Sequence, residues 1–142
     1  MTSPVEFDVP ARVEYVGLLR MLVSSLVADR RRVDDEQLDD LRLAISEACT
    51  VVVDNAAAQD ARLVVSCREE PDALVLDVHD GGGTALPSTS GDLGLPDPER
   101  LDEDDALPLE LIRALVDDVS KVSEDGIDRI RLRVKCARVG AD

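Results

Sequence analysis

Aromatic residues are nearly missing from this sequence, which has one phenylalanine, Phe7, one tyrosine, Tyr15, and no tryptophan. That excludes stacking platforms for nucleic-acid bases and leaves the core to Leu, Val, Ile and Ala. Positive charge is also scarce. Sixteen Lys and Arg stand against 31 Asp and Glu, a net charge of −15, and only Lys121 and Lys135 are lysines. Such a chain repels phosphate backbones, so nucleic acid is not an expected ligand, whereas a partner with a basic surface is favoured. There is a single histidine, His79, and the three cysteines Cys49, Cys67 and Cys136 lie far apart with no CxxC pair. Neither a zinc site nor a disulfide framework is indicated, and the cysteines read as small buried hydrophobes. No run approaches the ~18 apolar residues of a membrane span or a signal-peptide core. No membrane contact is expected, and the expected location is cytoplasmic.

What is present is enough for one domain: 142 residues, 44% of them hydrophobic, can bury a sizeable core. Val5, Phe7 and Val9 alternate with polar residues as in a half-buried strand, which Pro10 ends. From Ala11 to about Asp29, Val16, Leu19, Val23, Leu26 and Val27 share one helical face. A second helix, capped by Asp34 or Asp35, carries Leu38, Leu41, Ile45, Cys49 and Val52 and runs to about Ala58. ARLVVSC and ALVLDVH, parted by REEPD, read as a hairpin over about 61–79. Asp80 to about Ala106 is irregular, with five glycines between Gly81 and Gly94 and prolines at 87, 96 and 98. A loop or lid of that length is usually functional or disordered. DALPLELIRALVDDV returns to helical spacing, and two strands follow around Asp125 and Gly126, the last with Arg129, Arg131, Arg133 and Lys135 along one face. The predicted fold class is an α/β (α+β) two-layer sandwich, a mainly antiparallel sheet with its helices packed on one face.

That order, with LRLAISEACTVVVDNA, LVLDVHDGGG and LELIRALVDDV, resembles the RsbW and SpoIIAB type of anti-sigma factor, a branch of the GHKL (Bergerat-fold, histidine-kinase-like) ATPases. The resemblance spans nearly the whole chain, 1–142 as one domain, and SEACT is its most specific phrase. It implies a homodimer that holds a sigma factor and uses ATP to phosphorylate a serine of a STAS-domain anti-anti-sigma factor. It also implies where the ATP site stands. Glu47 matches the general base on the helix, but the asparagine four residues on, which would hold magnesium, is Val51, and a branched alkyl group offers no oxygen. Asn55 lies a further turn, ~6 Å, along the axis.

Asp80 and Gly82 match the aspartate and first glycine of the adenine-binding box, while Thr84 replaces its last glycine. Ala106 and Pro108 stand where the phosphate-binding glycines belong, and proline has no amide hydrogen to donate. Asp102, Glu103, Asp104 and Asp105 place four carboxylates just upstream, where a nucleotide needs positive charge. The threonine that supports the adenine-binding aspartate aligns with Asp128. Glu47 and the Asp80–Gly82 pocket therefore read as vestiges, no metal ligand set remains, and the ATP and magnesium cofactors are expected to be lost.

Three readings of different classes follow. The first is a non-catalytic anti-sigma factor, with Arg20 in VGLLRML at the place where relatives contact both the sigma factor and the antagonist. The second is an active serine/threonine kinase of the anti-anti-sigma factor that works through Glu47. The third is a dimerising scaffold that binds neither partner. His79, beside Asp80, reads as a strand-end residue, and no spacing pairs Asp77 with Glu47 for acid–base work.

Overall fold

The computed structural model describes residues 4–56, 60–81, 110–124 and 127–136. Five strands form one sheet: β1, Val5–Pro10; β2, Arg62–Glu70; β3, Ala73–His79; β4, Asp118–Glu124; and β5, Ile127–Lys135. Their order across the sheet is β1-β2-β3-β5-β4, and every neighbouring pair is antiparallel. Between β1 and β2 come a 3-10 turn, Val13–Tyr15, and the helices α1, Val16–Arg30, and α2, Asp35–Asn55. Residues 110–115, here α3, are helical ahead of β4. The predicted sandwich and its element order are thus what the chain forms. The expected loop lies outside the described residues from Gly82 onward, as do the final residues of the second predicted helix.

Each helix has a local reason to begin or end. Asp34 accepts the Gln37 amide at 2.7 Å while the Gln37 side chain accepts the Asp34 amide at 3.0 Å, a reciprocal cap that satisfies two otherwise orphaned donors of α2. The same Gln37 donates to the Lys135 carbonyl at 2.9 Å, tying the helix start to the end of β5. At the other junction Arg31 adopts a left-handed φ of 57° to close α1. Arg32, 9% exposed, then donates to the Pro71 carbonyl at 2.9 Å, anchoring the helix connection on the β2–β3 turn.

One apolar cluster fills the space between helices and sheet. Leu19, Val23 and Val27 of α1, Leu41, Ile45, Ala48 and Val52 of α2 and Ile112 of α3 meet alternate strand residues there, Leu63 and Val65, Leu74, Leu76 and Val78, and Ile130, Leu132 and Val134. The period of two in the strands and of three to four in the helices delivers these faces to one layer. The third helix is shorter at its end than its periodicity implies. Asp117 donates its amide to the Arg133 carbonyl at 3.1 Å and accepts the Lys135 amide on its carboxylate at 2.7 Å. These bonds turn VDDV into the start of β4, which lets Val119 reach the core at 5% exposure.

Candidate functional site

The middle of α2 and the end of β3 carry the candidate nucleotide-site residues. Glu47 is half-buried on α2, and among the described residues it makes no hydrogen bond or ion pair. One turn on, Val51 is 5% exposed and belongs to the apolar cluster. One further turn on, Asn55 donates its amide to the Val51 carbonyl at 2.7 Å, so its side chain serves its own helix. Burial of Val51 thus removes from the inner face of α2 the oxygen that a magnesium ion would need, and Asn55 is turned back rather than presented. Among the described residues no group of three or more His, Cys, Asp or Glu side chains is placed to hold a metal ion.

Asp80 follows β3 directly and is 3% exposed. Its carbonyl accepts the Arg62 amide at 3.2 Å, which extends the β2–β3 ladder by one bond. Gly81 then takes φ of 70°, a conformation that favours glycine, and its amide donates to His79 Nδ1 at 2.9 Å. The β3–β5 register ends at Val78 opposite Ile130. Two residues before Ile130 on β5 is Asp128, whose Oδ1 accepts the Ser123 hydroxyl at 2.9 Å. A second carboxylate therefore stands on the strand that neighbours the candidate adenine acceptor. Gly82, Thr84, the acidic run 102–105, Ala106 and Pro108 lie outside the described residues.

Arg20 is exposed on α1, and its Nη1 reaches Ser46 Oγ on α2 at 3.5 Å. Leu18 at 40%, Met21 at 56% and Val13 at 71% exposure lie near it in sequence, while Leu19 is fully buried. The arginine and Glu47 thus belong to the helical layer, and Asp80 to the end of a central strand. The cysteines hold no chemistry ready: burial pushes the Cys49 thiol up to about 12 and the Cys67 thiol to about 11, far from the thiolate that reactivity requires.

Two arrangements escape a linear reading. Asp77, 5% exposed, is held by Arg131 through two bonds of 2.8 and 2.9 Å, and Arg131 also reaches Glu124 at 3.0 Å. The alternate arginines of β5 were the available sign of such pairing. The His79–Gly81 contact had no sign at all, since a histidine at a strand end does not reveal which way its ring folds.

Comparison with known proteins decides the family. Residues 9–134 match the family described as histidine kinase-like ATPase domain. This chain belongs to the histidine kinase-like ATPases. Within that family it is 33% identical to the serine-protein kinase RsbW of Bacillus subtilis, over 87% of this chain and 80% of that protein. It is 30% identical to the RsbW of Bacillus mycoides, over 87% of this chain and 79% of that protein. A crystal structure of the RsbU and RsbW domains of a Mycobacterium tuberculosis protein shares the fold, with a TM-score of 0.66 at 18% identity. That alignment covers 99% of this chain and 35% of the solved one. The histidine kinase-like fold is therefore shown, with Val51 buried in the apolar layer one turn beyond Glu47.

Proposed function

We propose that this chain is a non-catalytic anti-sigma factor of the RsbW type, which sequesters a sigma factor and is released by a STAS-domain anti-anti-sigma factor through competition rather than phosphorylation. The observation that carries the reading is Val51, 5% exposed in the core where the metal-binding amide would stand, with Asn55 bonded back to its carbonyl. The RsbW relatives suggest the family role, and the net charge of −15 suits a basic partner and speeds association at low salt. In this reading the whole of 1–142 is one domain with a loop at about 80–106. Arg20 contributes to the partner surface, the protein acts in the cytoplasm as a homodimer, and Glu47, Asp80 and Gly82 are remnants of the base and the adenine pocket.

The second reading is an active serine kinase. Half-buried Glu47, without a partner among the described residues, favours it, as do the kinase names of the relatives. Isothermal titration with ATP and magnesium separates the two readings, with an intact RsbW-type kinase as the positive control. No heat of binding up to millimolar ATP is the expected outcome. Micromolar, magnesium-dependent binding overturns the non-catalytic reading and returns phosphorylation as the switch.

A further inference from the structure

We propose that His79 is a positioning residue: its unprotonated Nδ1 pins the turn by which Asp80 leaves β3, so a ring on the face of the sheet away from the helices governs the setting of a carboxylate on the helix-covered side. The proposal does not depend on whether the chain is a kinase.

Strand alternation separates the two groups. Val78 is in the core, and Asp80 continues its parity toward the helices, whereas Asp77 and His79 point to the other face. The turn between them rests on three features. The Arg62 amide donates to the Asp80 carbonyl, Gly81 adopts its positive φ of 70°, and the Gly81 amide donates to His79 Nδ1 at 2.9 Å. Only the last can change with conditions. An amide always donates, so Nδ1 must be the acceptor, and the neutral ring keeps its hydrogen on Nε2. Protonation would set an N–H against an N–H, exchanging an attraction for a repulsion.

The surroundings keep the ring neutral. His79 is 7% exposed; its cross-strand neighbours are Val64 of β2 and, by the register continued one residue, Arg129 of β5. Burial is the largest influence on its pKa and Arg129 the next, both lowering it below the ordinary 6.5, while Glu6 of β1, Asp80 and Asp77 oppose them. Arg62 on β2 is engaged by Asp8 at 2.8 Å. With the folded pKa depressed, the stabilisation is fully present above the ordinary value and is lost as pH falls through the lower, folded one.

The test is NMR on the full-length protein. At pH 7.5 the imidazole nitrogen shifts should report the Nε2–H tautomer, and the Gly81 amide should be protected from exchange. Lowering the pH should remove that protection in step with the titration of His79. His79→Asn, whose Oδ1 stands where Nδ1 does, should retain protection, and His79→Leu should speed Gly81 exchange about tenfold, the worth of one net hydrogen bond. A proton found on Nδ1, titration of the ring without any change at Gly81, or unchanged Gly81 protection in the leucine variant would each overturn the proposal. The wild-type titration tests it even if a variant fails to fold.

Discussion

The two faces of one sheet solve the same problem in opposite ways. On the helix-covered face, Leu63, Leu74, Leu76, Val78, Ile130 and Leu132 are all at or below 1% exposure, and what they contribute is burial that is non-directional and tolerant of reshaping. The face away from the helices draws on the alternate residues of the same strands. There Arg131 grips Asp77 and Glu124, Arg133 bonds Glu70 and approaches Asp72, Arg68 reaches Glu70 and Arg62 reaches Asp8. Val64, Val75 and Ala73 are buried among these charges, beside arginine stems that are themselves apolar. The contrast teaches that an acidic chain can still carry four arginines along two strands, each offset locally by a carboxylate. Stability on that face depends on particular partners, and on the other only on volume.

Substitutions of graded cost can break or sharpen that contrast. Leu76→Ala, at the centre of the apolar face, should lose about 2–5 kcal/mol in urea denaturation, because it opens a cavity with no solvent to fill it. On the other face, Arg131→Ala should lose roughly 2–4 kcal/mol by leaving the Asp77 carboxylate buried and unpaired; a loss below half of the lower figure would mean that this pair is no more than a surface contact. Val51→Asn brings an amide to the helix-covered side and should lower stability by about 1–3 kcal/mol. It should not restore phosphorylation of a STAS-domain protein in a radiolabel assay, since in the non-catalytic reading Ala106 and Pro108 stand where the phosphate-binding glycines would be; robust transfer by this single variant would refute that reading. Asp8→Ala should shift the midpoint least, by less than about 1 kcal/mol, because both partners of its pair are half exposed and screened by solvent.

The unequal legibility of the site follows from the same physics. Glu47, Val51 and Asn55 sit on one helix, so their relation is set by a spacing of four residues and could be read directly. Asp80 was visible through the glycines that follow it, which resemble the adenine-binding box of the family. The salt bridge from Asp77 to Arg131 spans 54 residues and exists only because β3 and β5 are neighbours in a register that no local pattern encodes. The third helix was read too long for a related reason: helical periodicity continues through Val116, but the amide and carboxylate of Asp117 bond to β5, and those partners lie beyond the reach of a local window.

Local spacing by itself determined the number and order of the elements, the apolar layer and the place of Val51 one turn beyond Glu47, because side-chain period and residue chemistry are properties of short segments. Tertiary structure decided which strands became neighbours, which carboxylates faced which arginines, and that the Gly81 amide would fold back onto His79. Those depend on pairing register and on turns closed between distant strands, where one residue of slip exchanges the faces and every partner with them.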